Sequence, residues 1–416
     1  TAENFKYAIE RSFNPRMRGP ASNFDLPIAG VREYATGQAR QISGVRAEGD
    51  RLVIRLTRRH DDLPTRLAMS FFCAIPMETP IDPHGVQAIP SAGPYYVASE
   101  DLDEGLVLRR NPNYKGPRPS RSAEIRISVP VAPREAIARV EDGRADFATD
   151  AVTPPLARRL ASRDTGTRYR IDPLLGTDYL LFNTARPVFS SRRLRRAVNF
   201  AIDRRALAEA GGIGNGLPAR PTDQYVPPGM PGFVEADIYP FEPDLRTARR
   251  LAGPLRRTVH LYTPRGDSTE QLAEIVKSNL KAIGMDVDVT TINTFEVFGR
   301  RGEPWDVALI SWYADRPDPI DFLQFFDGRR FEPGVFNLGR FNDPDFNRRM
   351  DAANGLVGAE RQVALGRLDA HVIRTGAPVA AFSHEAQHSF FSDRVGCQIH
   401  NPVSGINLAA LCIREG

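Results

Sequence analysis

The chain has 416 residues, 41% of them hydrophobic and 25% charged, with 55 Lys and Arg against 51 Asp and Glu. That length is too great for one core and calls for two or three lobes, and no apolar run approaches the roughly 18 residues of a membrane-spanning helix. The formal charge of +4 is spread along the chain, with short clusters such as Arg192, Arg193, Arg195 and Arg196, whereas a nucleic-acid footprint needs a concentrated basic patch.

Thr1 to Arg11 has an N-cap Thr, an acid in the first turn and apolar Phe5, Ala8 and Ile9, so a helix is expected. Arg51 to Leu56 alternates like a half-buried strand, and Pro64 to Phe72 reads as a helix beneath it. After Gly93-Pro94 a strand begins at Tyr95 and Tyr96. LVLRRNPNYKGPRP then gives a strand and a Pro/Gly-rich turn, Glu124 to Val129 another strand, and Ala132 to Val140 a helix. Gly176 to Thr184, GTDYLLFNT, reads as a strand, followed by the amphipathic helix RRLRRAVNFAIDR with Leu194, Val198, Ala201 and Ile202 on one face. The Arg cluster of that helix is read as a solvated face.

The glycine-rich GGIGNGLPAR from Gly211 follows a helix and lacks GxGxxG spacing, which makes it a poor phosphate loop. Asp244 caps a short helix running to Leu251. Val259 to Tyr262, Ser268 to Ile283 and Met285 to Thr290 form a strand–helix–strand unit closed by Gly284 as the helix's C′ residue. The three cysteines, Cys73, Cys397 and Cys412, fit no zinc spacing. Cys397 and Cys412 pair if the chain is exported, leaving Cys73 as a buried thiol; three reduced cysteines fit the sequence equally well.

The stretch that carries the chemistry is Trp305 to Phe322, WDVALISWYADRPDPIDF. Its first half is a buried strand, and Pro317 and Pro319 stop it, because proline removes donors and fixes φ. Trp312, Tyr313 and Asp315 are thereby delivered to a strand end, where a carboxylate beside aromatic rings suits a ligand with a positive group and an apolar body. The same residues also fit a surface turn with an Asp cap.

Taken with YYV after Gly93-Pro94, LVLRRNPNYKGPRP, GTDYLLFNT, VPPGMPG at Val226 and FNDPDFNRRMD at Phe341, this stretch resembles the extracellular solute-binding proteins of ABC importers, of the dipeptide/oligopeptide/nickel-type family. The resemblance implies a periplasmic-binding-protein-like, two-lobed α/β fold with mixed sheets and an additional domain (class II, cluster C type), short of the family's usual N-terminal segment. It implies residues 1–88 as the extra domain, 89–182 as lobe one with its hinge, 183–390 as lobe two and 391–416 as a return to lobe one. It also implies a non-catalytic, cofactor-free monomer that captures an oligopeptide or similar solute by hinge closure. Such a chain works with membrane permease subunits, outside the cell, as a lipoprotein or in the periplasm. Residue by residue, Asp315 takes the place of the aspartate that pairs with a peptide's α-ammonium group. Trp312, Tyr313 and Ala314 become wall or backbone partners in β-augmentation, and Tyr179 lines the site. A scaffold or sensor of the same fold that delivers no solute is an alternative.

One motif points elsewhere. His384 to His388, HEAQH, satisfies HExxH, in which two His on one helical turn bind zinc and Glu385 activates water. A metalloprotease is therefore the rival reading, with His400 or Glu415 as a third ligand. However, VAAFSHEAQHSFF alternates like a strand, which separates the two His by about 13 Å, and Phe391 and Arg394 stand where the extended protease pattern needs Gly and His.

Overall fold

The computed structural model describes all residues except 18, 20–25, 88, 102–104, 150–151, 165, 167, 214–218, 301, 330–336 and 415–416. Part of the glycine-rich loop after Gly211, and Glu415, thus lie outside the described residues. The chain divides into two compact units, Thr1–Ala132 with Ser392–Gly416, and Pro133–Phe391.

In the first unit a helix spans Ala2–Phe13 and packs Ala8, Ile9 and Phe13 inward. Strands β1 (Val45–Glu48) and β2 (Arg51–Ile54) form a hairpin, and β3 (Tyr95–Asp101), β4 (Gly105–Arg110) and β5 (Glu124–Ile127) an antiparallel sheet. The expected helix over Pro64 to Phe72 is shorter and split: Leu63–Leu67 is α-helical and Ser70–Phe72 a 3-10 turn. The backbone is extended at Met69 and again at Cys73, so Phe72 turns inward to stack on Phe13, while Cys73 is exposed rather than buried. Cys397 and Cys412 form a disulfide, with Cα atoms 5.5 Å apart.

The second unit is built on one mixed sheet of β6 (Phe147–Thr149), β7 (Tyr169–Phe182), β8 (Arg220–Pro221), β9 (Arg257–Pro264), β10 (Met285–Ile292), β11 (Val307–Tyr313) and β12 (Val379–Phe391). Its order is β10-β9-β11-β7-β12-β6, with β8 beside β12. The predicted strand–helix–strand unit is β9, the Asp267–Lys281 helix and β10. The two strands are parallel, as a crossover helix requires, and Gly284 takes the left-handed φ of +81° that ends the helix turn. β11 runs parallel to β9 and antiparallel to β7. Leu180, Phe182, Val259, Leu261, Val307 and Leu309 from three neighbouring strands meet Leu272, Val276 and Leu280 of that helix and Leu194 and Val198 of the Arg192–Ala201 helix in one dry core.

The Arg cluster of that last helix is not uniformly solvated. Arg192 and Arg193 are exposed, but Arg195 is buried and donates to the carbonyls of Phe189, Ser190, Gly376 and Ala377. Gly376 ends the Gly358–Thr375 helix, so the guanidinium caps the negative end of a helix dipole. Arg204, fully buried, likewise donates to Ala381, Asn199 and Pro240 carbonyls. Burial lowers both guanidiniums to about 10, and the charges of Asp343 near Arg195 and Asp223 near Arg204 offset it only partly.

Candidate functional site

Along β11 the chain emerges from the core. Val307 to Ile310 are buried, Ser311 and Trp312 half-buried, and Tyr313 is 36% exposed. The described ladder to β9 covers Val307 and Ala308, whereas pairing to β7 continues to Tyr313 opposite Gly176. The Tyr313 ring folds over that glycine: a Cβ on Gly176 would stand 2.7 Å from the ring's Cδ1 and 3.1 Å from Glu385 Cβ. Covering a strand glycine with a cross-strand aromatic is a known stabilising pair, and here any larger residue would displace the ring.

Trp312 packs edge-on against Phe325 at 4.6 Å. Behind it, Tyr225 contacts Phe322, Phe325 and Phe326 and meets Tyr179 at 4.8 Å. Tyr179 is itself only 1% exposed, its hydroxyl accepting from that of Tyr225 at 3.3 Å, and burial pushes it well up from the usual phenol range. It forms the back of the aromatic wall rather than its face. Ala314 is buried, and its N–H donates to the Leu175 carbonyl at 2.7 Å, within the sheet.

Beyond the strand, three aspartates within seven residues meet three different fates. Asp321 is fully buried. It accepts from Arg316 Nη1 at 2.8 Å and from the Asp315 backbone N–H at 2.8 Å. Asp318 accepts from Arg361 Nη1 at 2.6 Å and from the Ile320 N–H at 3.0 Å, at the mouth of the Ile320–Leu323 helix. Asp315 is half-buried, and among the described residues none donates a hydrogen bond to its carboxylate. Burial raises its pKa and the nearby Arg316 charge only partly offsets this. The loop is therefore braced by its internal ion pairs and, among the described residues, presents one carboxylate to which none donates a hydrogen bond. The sequence pointed to Asp315, Trp312 and Tyr313. It did not point to Gly176, Phe325 or the Arg316–Asp321 and Arg361–Asp318 pairs; the signal available for the last was an Arg set among closely spaced acids.

HEAQH lies within β12 and is a strand, not a helix. His384, 7% exposed, places Nδ1 3.0 Å from Thr177 Oγ1, and His388, 3% exposed, places Nδ1 2.5 Å from the Tyr169 hydroxyl. Burial lowers them to about 3 and about 4, so both rings are neutral. Glu385, 2% exposed, instead faces Asp178 of β7. Among the described residues no three His, Cys, Asp or Glu side chains come together as a metal site. The zinc-protease reading fails because strand geometry sends the motif's side chains to separate partners.

A strand-borne carboxylate and an aromatic wall thus make up the candidate site on a mixed α/β sheet, and the fold is that of the two-lobed periplasmic binding proteins. Clavulanic acid biosynthesis oligopeptide binding protein 2 superposes with a TM-score of 0.87 at 22% identity, covering 100% of this chain and 80% of that one. The Escherichia coli murein tripeptide binding protein MppA superposes with a TM-score of 0.79 at 21% identity, covering 100% and 84%. The model of the bacterial extracellular solute-binding proteins, family 5, matches residues 1–331, and the chain belongs to that family. Heme-binding protein A of Haemophilus influenzae is 24% identical over 327 residues, and the periplasmic oligopeptide-binding protein OppA of Escherichia coli 24% over 398 residues. The chain aligns over 74% of its length with the first and 88% with the second, and spans 57% and 69% of theirs.

Proposed function

We propose that the chain is the solute-binding component of an ABC importer and that its solute is a short peptide, anchored by its α-ammonium group on Asp315. The observation that carries this is the contrast within one loop: Asp318 and Asp321 are closed by internal arginines, while Asp315, half-buried past a strand end beside Trp312 and Tyr313, has no such donor among the described residues. A desolvated carboxylate gains most from a cationic group that brings its own hydrogens. Tyr313 and Trp312 supply the apolar wall, backed by Phe325, Tyr225 and Tyr179. The relatives named for oligopeptides and a murein tripeptide support this class of solute.

Export to the periplasm or cell surface, with or without a lipid anchor, belongs to the same reading. It is supported by the Cys397–Cys412 disulfide, a bond favoured in oxidising compartments. No helix among the described residues is long and apolar enough to cross a membrane, so permease subunits would supply the channel. The chain then acts as a monomer and catalyses nothing.

A thermal-shift screen against di- to pentapeptides, oligosaccharides and divalent metals, with Asp315→Ala alongside, tests the reading. A ligand that binds only the native state raises Tm by mass action. The expected result is a peptide-induced rise that Asp315→Ala abolishes; a rise with oligosaccharides alone, indifferent to Asp315→Ala, would overturn it.

A further inference from the structure

Among the buried acidic groups that the solute-binding reading leaves unused is Glu385, the central acid of HEAQH. The β7–β12 pairing shifts register twice, once at Phe382, between Ala381 opposite Tyr179 and Ser383 opposite Asp178, and again between His384 opposite Thr177 and Ala386 opposite Pro173. Between the latter two pairs β7 has Leu174, Leu175 and Gly176 against the single residue Glu385 of β12. Glu385 is 2% exposed, and its carboxyl faces that of Asp178, which is fully buried. Two buried carboxyls facing each other resist ionising together, and burial first, then Glu385, raises the Asp178 pKa well above its usual value. Ser383 Oγ donates to Asp178 Oδ2 at 2.8 Å, and the Ile213 N–H donates to the same carboxyl. The Glu385 carboxyl lies so close to Gly212 that a Cβ there would collide with it.

The same Glu385 touches the candidate site. Its Cβ and the Tyr313 ring are the two side-chain groups that close on Gly176, one from β12 and one from β11. We propose that Glu385, held in place by a proton it shares with Asp178, is a positioning residue for Tyr313, and so for the wall against which the solute binds. This rests on the reading of Asp315 and Tyr313 as the solute site. Several groups among the described residues face the pair. Ser383 and His384 come from β12, Thr177 and Tyr179 from β7, and the Ile213 backbone from the loop after the Arg204–Ala210 helix; Arg220 of β8 lies beyond His384. His384 titrates at about 3, below the window of interest. Loss of the shared proton leaves two adjacent buried charges, which can be relieved only by moving Glu385 away from Asp178, between the Gly212 backbone and the residue that Tyr313 covers.

The test reads the position of the 313 ring without any solute. With 4-fluorophenylalanine, a ring that does not titrate, placed at position 313, the fluorine resonance is followed from pH 5 to 9. The expected result is a shift with a midpoint above the ordinary carboxylate range. Glu385→Gln and Asp178→Asn, both shown folded by thermal melting, abolish that shift. Should either fail to fold, Ser383→Ala keeps the pair intact and moves the midpoint up by removing a donor to the ionised form. A resonance that does not move with pH, or that moves identically in Asp178→Asn, would overturn the proposal whether or not peptides bind. In the peptide assay, Glu385→Gln is expected to weaken binding roughly tenfold, the size of coupling between contacting groups. Unchanged peptide affinity in a protein whose 313 resonance does titrate would refute the link from ring position to binding.

Discussion

β11 and β12 lie on either side of β7, and each brings one conspicuous acid to it. On the β11 side, Asp315 stands half-buried past the end of the strand, its backbone pinned by Asp321 and its carboxylate free of donors among the described residues. On the β12 side, Glu385 is drawn inside a register break and paired with a second acid. Both carry motif-like neighbours in sequence, yet geometry fits only the first to meet a ligand. The difference teaches that a carboxylate's role is set by what its neighbours already satisfy, more than by the motif around it.

The largest expected effect concerns the scaffold that frees Asp315. Breaking the buried Arg316–Asp321 pair by Asp321→Ala leaves an uncompensated buried charge and also releases the Asp315 backbone. A loss of about 3 to 5 kcal/mol in urea unfolding is expected. Asp315→Asn, by contrast, removes a half-buried charge that accepts no hydrogen bond among the described residues, and stability should hold or rise by up to about 1 kcal/mol. Equal losses for the two variants would erase the distinction between them.

Next in size is binding. Asp315→Asn should cost roughly 1.5 to 3 kcal/mol of peptide affinity, the range for hydrogen bonds to charged groups, with the fold unchanged. Because burial raises the Asp315 pKa, affinity should also fall as pH drops through a midpoint above the usual aspartate value of 3.8, the protonated acid being unable to pair with an ammonium group. A pH-independent affinity down to pH 4 would argue against the anchor.

On the β12 side the signs are opposite for acid and histidine. Asp178 has a folded pKa raised well above 3.8, by burial first and by Glu385 next, so the folded state binds the extra proton. Its contribution to stability is greatest at low pH and is lost as pH rises towards the folded value; Asp178→Asn should therefore gain on the parent protein in alkaline melts. His384 and His388 are depressed to about 3 and about 4, so the unfolded chain takes up protons first, and stability falls as pH drops below 6.5 towards those values. His384→Gln should flatten that acid limb. The smallest expected effect is none: added zinc should leave Tm unchanged, since no described trio of ligands converges.

The elements with strong periodicity were readable before the structure. The β9–helix–β10 unit, its closing Gly284 and the buried half of β11 follow from apolar spacing and one glycine, because local geometry determines them. Asp315 stood out because two prolines isolate it at a strand end. What remained hidden depends on contacts far apart in sequence. Arg195 was read as solvated because its partners, the Gly376 and Ala377 carbonyls, are 181 and 182 residues away. Likewise the Thr177–His384 contact spans 207 residues, and only the β7–β12 pairing reveals that HEAQH is dispersed across a sheet. Cys73 followed an apolar run and still faces outward, since a single 3-10 turn reset the alternation.

The central claim is that Asp315 waits for a peptide ammonium group. It is tested most directly by comparing the Tm rise produced by the di- to pentapeptide fraction of a casein digest with that produced by the same fraction after acetylation of its amino groups, for the parent protein and Asp315→Asn. The account predicts a rise with free amines in the parent protein that collapses on acetylation and is absent from Asp315→Asn with either mixture. An equal rise from both mixtures, or one that persists in Asp315→Asn, would contradict it.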